Sequence, residues 1–263
     1  MKEIDIMRYF IKLSYNGEKF HGWQFQPNDI SVQQIIEEAL SIVTRLSIEI
    51  VGAGRTDAGV HAREMYAHFD LPTPIQNKDK VLLSLNRIVG KDISIYDIIP
   101  MHDNAHARFD AIERTYKYFV SYSKSPFMYP YCWQTNYDLD IDKMNEAAAV
   151  LLETNDFTSF AKLHSDTKTN ICDVREAYWE RIQSNDTNFI SNFIDDGLVF
   201  TISADRFLRN MVRAIVGTLI EVGRNKISIE DFKNIIESKN RSSAGTSMPG
   251  EALFLWKIKY PYI

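Results

Sequence analysis

Cysteine is nearly absent from this chain: 263 residues carry two, Cys132 and Cys172. They lie far apart and fit no metal or redox spacing, so the reading they favour is two reduced thiols in a cytoplasmic protein. An excess of positive charge is missing too. Thirty Lys and Arg stand against 35 Asp and Glu, a formal net charge of −5. The overall balance therefore gives no sign of nucleic acid, and any polyanion-binding surface has to be local. Long apolar runs are also lacking. The opening "MKEIDIMRYFIKLSYNG" spreads charges where a signal peptide would need an apolar core. The most apolar stretch, "MVRAIVGTLIEVG", contains Arg213 and Glu221 and is too short to cross a bilayer. The six histidines show no metal-ligand spacing, and His61 and His68 read as structural residues. A Walker lysine and a dinucleotide glycine pattern are both missing, as are low-complexity segments and sequence repeats. What remains is a globular composition, 45% hydrophobic and 25% charged, with the length of one large domain or two smaller ones.

A repeat does emerge in the order of predicted elements. "MRYFIKLSY" reads as a strand. After a turn-rich segment Ser31 opens a helix, with Gln34 as its capping-box partner. Ile35, Ile36, Ala39, Leu40, Ile42 and Val43 supply that helix's apolar face. A short strand "IEIVG", a glycine bend, a strand "EMYAHFDL", a helix "KDKVLLSLNRIV" and a strand "ISIYDII" follow. This is the β-α-β-β-α-β order of a ferredoxin-like unit. The order recurs through a strand "ERTYKYFVSY", a helix capped by Asp140, strands near "CDVREAYWERI" and "GLVFTIS", and a helix from Arg206 to Val222. A helix "SIEDFKNIIES", a strand "ALFLWKIKY" and an extra strand near Tyr131 complete it. The expected fold is α+β: two ferredoxin-like, RRM-like halves with mainly antiparallel sheets, residues 1–104 and 105–263, and a cleft between them.

Five stretches concentrate unusual residues. "GAGRTDAGVHA" places Arg55 and Asp57 on a glycine-permitted bend with no second acid, cysteine or lysine beside them. Asp favours tight turns for its own backbone hydrogen bonds, so the bend by itself reads as a turn or as a mounting for one carboxylate. "YNGEKFHGWQFQ" holds Tyr15, Phe20, Trp23 and Gln24. These either pack a strand-to-helix loop or offer aromatic and amide groups to RNA bases. "HARFDAIERTYKYFV" mixes Arg108, Arg114 and Lys117 with Tyr116 and Tyr118, suiting backbone contact and base stacking or ordinary strand packing. In "DRFLRNMVRAIVG" the residues Arg206, Arg209 and Arg213 fall at i, i+3 and i+7, one stripe if the segment is helical throughout. That stripe is either a solvated face or an anion-binding one. "SSAGTSMPGEALFLWKI" reads as a turn-prone pocket rim.

Together these stretches resemble the TruA family of tRNA pseudouridine synthases. "Y-N-G-x-x-F-H-G-W-Q-x-Q", "G-A-G-R-T-D-A-G-V-H-A", "H-A-R-F-D-A", "D-F-T-S-F" (Asp156–Phe160) and "F-L-R-N-M-V-R-A-I-V-G" occur in the family's order, over nearly the whole chain. Two departures stand out. The family's "A-G-P-T-A-P-A-x-G-L" is here "A-G-T-S-M-P-G-E-A-L", around Thr246 to Gly250, and a usual Leu-Pro is Val89-Gly90.

The resemblance implies a pseudouridine synthase fold and an isomerase. It places the catalytic role on Asp57, supported by Arg55, the active-site tyrosine Tyr116 and the carboxylate-pairing Arg213. Tyr15, Phe20, Trp23, Gln24, Arg108, Arg114, Arg206 and Arg209 are the RNA-binding candidates. The implied substrate is tRNA, modified on the 3′ side of the anticodon stem-loop, and the implied assembly is a cytoplasmic homodimer with no membrane contact. Breaking the C1′–N1 bond, turning the uracil and rejoining through C5 involves neither redox change nor hydrolysis. No cofactor and no metal are therefore implied, and one carboxylate suffices.

Overall fold

The computed structural model describes residues 6–162, 167–182 and 196–263. The chain forms two compact units, Met1–Ile112 with Leu255–Ile263, and Glu113–Phe254. Relative to the expected division after residue 104, residues 105–112 and the closing strand lie with the first unit. Hydrogen bonds account for this placement. Tyr260 donates its hydroxyl to the Ala107 carbonyl at 2.5 Å, and Tyr262 to Asp110 at 2.7 Å. The Ile112 amide reaches the Lys259 carbonyl at 2.9 Å.

The first unit runs β1 (Met7–Tyr15), α1 (Val32–Thr44), β2 (Val51–Gly52), β3 (His61–Leu71), α2 (Lys78–Ile88) and β4 (Ile93–Met101). Strand β1 is central, antiparallel to both β3 and β4, while β2 pairs antiparallel with β3. Period-2 alternation sends Tyr9, Ile11, Leu13 and Tyr15 to one face of β1, and all four are buried. Helix α1 is capped as expected, with the Ser31 side chain accepting from the Gln34 amide at 3.2 Å. The reciprocal half of the capping box is not made. Gln34 turns its amide to Glu38 one turn on, at 3.0 Å. The apolar face of α1 is also narrower than expected. Val32, Ile36, Ala39 and Leu40 are buried, whereas Ile42 points out to solvent.

The second unit holds β5 (Glu113–Ser121), β6 (Trp133–Gln134), α3 (Ile141–Val150), β7 (Val174–Arg181), β8 (Gly197–Ala204), α4 (Met211–Gly223) and α5 (Ile229–Glu237). Strand β8 pairs antiparallel with β5 and β7, and the short β6 runs parallel to β5. The expected cap at Asp140 is present, its carboxylate accepting from the Lys143 amide at 3.1 Å. The closing strand, β9 (Leu253–Lys259), neighbours β3, and residues from Leu255 onward belong to the first unit. Mixed α+β architecture with mostly antiparallel pairing is thus established.

Helix α4 overturns one expectation. It begins at Met211, not Arg206, because Asn210 sits in the left-handed region (φ 67°) where helix cannot propagate. Upstream, one Asp205 carboxylate oxygen accepts from the amides of Asp173 and Arg206, both at 2.7 Å, and fixes residues 205–210 as a loop. The expected helical stripe of Arg206, Arg209 and Arg213 therefore does not form. Every residue of α4 except Arg213 and Glu221 is buried, as expected of a core helix apolar nearly all round.

His68 on β3 shows why a buried histidine need not be catalytic. Its Nδ1 accepts the Ala107 amide at 3.1 Å, and its ring stacks on Phe10. Burial first, then the nearby positive charges of Arg8 and His106, push its pKa down to about 4. In the unfolded chain the ring titrates near 6.5. Between those values the unfolded state binds the extra proton, so stability is complete above about 6.5 and falls as the pH drops toward about 4. His68→Asn keeps an acceptor near Nδ1 but cannot titrate. Its urea midpoint should depend less steeply on pH than the parent's across that window. Parallel profiles would show that His68 carries no linked proton.

Candidate active site

Asp57 lies on the loop joining β2 to β3, and a second loop, between β1 and α1, clamps that segment from below. At Gly52 the Trp23 indole lies so close that a Cβ would stand 2.4 Å from its Nε1. The Trp23 amide donates to the Thr56 carbonyl at 3.3 Å. Gly22, at φ 93°, brings its backbone where a Cβ would be 2.4 Å from that same carbonyl. Tyr15 meets the Thr56 hydroxyl at 2.9 Å. On the far side of Asp57, the Gly59 amide donates to the Phe20 carbonyl at 3.3 Å. Gly17 packs where a Cβ would be 2.0 Å from the Val60 carbonyl. Its amide donates to His61 Nδ1 at 2.9 Å, giving His61 the structural part expected of it.

Side-chain exposure alternates along the bend as a result. Thr56 is buried, Arg55 is exposed and Asp57 is half-buried. The loop itself is closed by the Val60 amide donating to the Asp57 carbonyl at 3.2 Å. The carboxylate thus rises from a segment anchored on both sides, as a preorganised reactive group requires. Tyr15, Phe20 and Trp23 are buried in this clamp. The reading of these three rings as a base-contacting surface gives way to packing, because they fill the space under the bend. Gln24 is exposed, beside the half-exposed Phe25.

Of the other site candidates of the resemblance, all but Arg108 belong to the second unit. Tyr116 on β5 is half-buried and meets Phe207 edge-on, with ring centres 5.1 Å apart. Arg114 donates to the Asp205 carbonyl at 2.6 Å, so it ties down the loop before α4. Arg213, in the first turn of α4, donates from Nε to the Met248 carbonyl at 2.5 Å. The Met248 amide returns a bond to the Arg213 carbonyl at 3.1 Å. Arg209 is exposed and Arg206 half-buried, both on the loop preceding the helix. Arg108 belongs to the first unit, exposed on a turn after β4.

Some functional contributions escaped the sequence reading. Thr56, the anchor of the bend, is flanked by more conspicuous charged neighbours. The Met248 carbonyl that holds Arg213 belongs to a segment that departs from the family pattern. A backbone acceptor leaves no mark in side-chain chemistry. Among the described residues, no three His, Cys, Asp or Glu side chains gather as a metal-ligating group. No described helix is long and apolar enough to cross a membrane.

The sequence model of the tRNA pseudouridine synthases matches residues 147–261. Curated relatives extend the likeness to the whole chain. A Parabacteroides distasonis protein named tRNA pseudouridine synthase A is 54% identical over 254 residues, 97% of this chain and 96% of that one. Its Bacteroides fragilis namesake is 52% identical over 258 residues, 98% of each chain. The Bacillus subtilis protein of that name is 36% identical over 258 residues, 97% of this chain and 99% of its own. The chain belongs to the tRNA pseudouridine synthase A family.

The clamp makes an ordered prediction. Gly52→Ala drives a methyl into an indole that is itself buried, and overpacking of this kind costs about 1–3 kcal/mol. Tyr15→Phe removes one hydrogen bond to Thr56, worth about 1 kcal/mol. Urea midpoints should fall in both variants, more in Gly52→Ala, and pseudouridine turnover should fall with them. A parental midpoint in Gly52→Ala would mean that the Trp23 contact does not hold the bend.

Proposed function

We propose that this chain isomerises uridine to pseudouridine on the 3′ side of the anticodon stem-loop of tRNA, with Asp57 as its catalytic residue. The observation that carries the proposal is the mounting of Asp57, half-exposed on a bend anchored through Thr56 and Val60, within the family's R-T-D-A-G motif. The reaction exchanges a C1′–N1 bond for C1′–C5, the C5 proton is lost and N1 gains one. A lone carboxylate suits it because no water needs activating. Attack at C1′, attack at C6 and removal of the 2′ proton all begin with such a group.

The other roles follow from the same reading. The target base has to leave its stack, at a cost on the order of a few kcal/mol. Arg55, exposed beside Asp57, takes the vacated position. Tyr116 stacks on the freed uracil and helps to remove the C5 proton. Arg213 serves as the supporting arginine that the family motif assigns to this position. Gln24, Arg108 and Arg209, all exposed, contact the RNA. The first unit carries the catalytic loop, and the second supplies Tyr116 and Arg213. The order β4-β1-β3, with β2 on β3, supports the ferredoxin-like reading of the first half. The working form is a cytoplasmic homodimer, so one tRNA meets both subunits.

Incubation with unmodified tRNA, followed by carbodiimide mapping of pseudouridine, tests the activity and its position together. A non-catalytic RNA-binding module would bind and leave uridine intact, and a small-molecule nucleoside enzyme would ignore the tRNA. Asp57→Asn should keep the fold and tRNA binding while the single-turnover rate falls on the order of 10³-fold or more. Substantial pseudouridine from a clean preparation of that variant would remove Asp57 from the chemistry. Binding should also weaken steeply with added salt despite the net charge of −5, because local arginines displace phosphate counterions. A binding constant indifferent to salt would contradict a phosphate-tracking surface.

A further inference from the structure

The turn that follows β4 is built more rigidly than a connection needs. His106 Nδ1 accepts the amides of Arg108 at 3.1 Å and Phe109 at 3.2 Å. Asp110 accepts the His106 amide at 2.7 Å and the Tyr262 hydroxyl at 2.7 Å. The Asp110 amide closes the turn onto the His106 carbonyl at 3.0 Å. Ala107 is held at both ends, its amide by His68 at 3.1 Å and its carbonyl by Tyr260 at 2.5 Å. Every residue from His106 to Asp110 thus has backbone or side-chain bonds that fix its position.

This rigid turn carries a phenyl ring outward. Phe109 is 75% exposed, against 0% for Phe10 at the base of the same row of rings. From Phe10 the row passes to His68 at 6.1 Å, to His106 at 4.6 Å and to Phe109 at 4.3 Å, centre to centre. One face of Phe109 therefore lies against His106, and the row ends in solvent. The Arg108 guanidinium stands 5.8 Å from the centre of the exposed ring. A ring held outward by this many bonds forgoes burial that a looser turn would have allowed it.

We propose that Phe109 is a stacking platform on which an unpaired base of the substrate tRNA continues the row, with Arg108 pairing to an adjacent phosphate. The proposal rests on the tRNA reading given above. Every base has an aromatic face, so a platform of this kind tolerates sequence, and a neighbouring guanidinium suits a phosphate in both charge and geometry. A protein partner fits less well, because apolar docking surfaces are broad. Here the ring's chain neighbours, Arg108 and Asp110, are charged.

The test uses Phe109→Leu and Phe109→Trp in the full chain, with unmodified full-length tRNA as the probe. Leucine keeps the apolar bulk and loses the aromatic face, whereas tryptophan keeps both. Phe109→Leu should bind tRNA roughly ten-fold more weakly and Phe109→Trp about as well as the parent. Photochemical crosslinking of the parent complex should attach RNA to the peptide containing Phe109. Equal tRNA affinity in parent and Phe109→Leu would overturn the proposal. So would a change in sedimentation with affinity unaltered, which would assign the ring to contact with a second copy. Pseudouridine formation by the parent on the same tRNA keeps the two readings apart. If the parent makes pseudouridine and Phe109→Leu binds normally, only the platform fails; if the parent neither binds nor modifies tRNA, both fail.

Discussion

Three absent Cβ atoms, at Gly17, Gly22 and Gly52, are the constraint on which the first unit's functional end depends. At each a methyl would stand within 2.4 Å of a carbonyl oxygen or an indole ring. Without those approaches the loop after β1 could not seat against the loop before β3. The consequences reach beyond the bend. The first amides of α1, Val32 and Gln33, donate to the Gly22 and Trp23 carbonyls at 3.3 and 3.0 Å, so the helix takes its starting point from the same loop. The first residue of β3, His61, accepts from the Gly17 amide. A strand end, a helix start and a strand start converge on the segment that presents Asp57. The segment that carries the carboxylate takes its position from these contacts of the fold.

The second unit repeats this economy with backbone atoms. Gly217 packs on the Thr246 carbonyl, where a Cβ would stand 1.9 Å away, and the Gly245 amide donates to the Thr218 hydroxyl at 2.9 Å. Arg213 and Met248 exchange bonds through backbone groups and one guanidinium nitrogen. This explains how the segment tolerates its departure from the family pattern. Thr246 and Met248 replace the usual proline and alanine, yet the closest contact with Gly217 and the bonds with Arg213 use their main-chain atoms. At Ser247, where the family has threonine, a hydroxyl is what matters. It accepts from Asn210 at 2.5 Å and Arg241 at 2.7 Å, and serine supplies it equally well.

Elements and caps were largely legible because they rest on local chemistry. Ser31 and Asp140 are N-caps for the reason that oxygen-bearing side chains generally are, by accepting amides otherwise left unpaired. The start of α4 was not legible. Arginines at helical spacing continue upstream of Met211, and nothing in periodicity reports that Asn210 has adopted a left-handed conformation. Ile42 misled in the opposite way, since an apolar residue on a surface helix need not find a partner. For the site, spacing showed one carboxylate on a bend and no more. Its catalytic reading came from the ordered motifs. The clamp came from long-range contacts such as Tyr15 with Thr56, which leave no local trace.

The arginines divide by what their guanidinium groups already do, and the division bears on how an acidic chain can meet a polyanion. Arg8, Arg114, Arg213 and Arg241 donate to main-chain carbonyls, which fixes loops. Arg8 also binds Asp70 at 2.7 and 2.8 Å, which balances its charge. Exposed lysines such as Lys19 and Lys78 stand beside Asp92 and Asp97, and such surface pairs leave little net field. Carbonyl-bound arginines behave differently, because a dipole orients a cation without cancelling it. Local potential is therefore not set by the whole-chain count of acidic and basic residues. Net charge sums over the whole surface, whereas a phosphate responds to what lies within about a Debye length, roughly 10 Å at 0.1 M salt. A net negative composition therefore constrains where an RNA contact lies rather than whether it occurs.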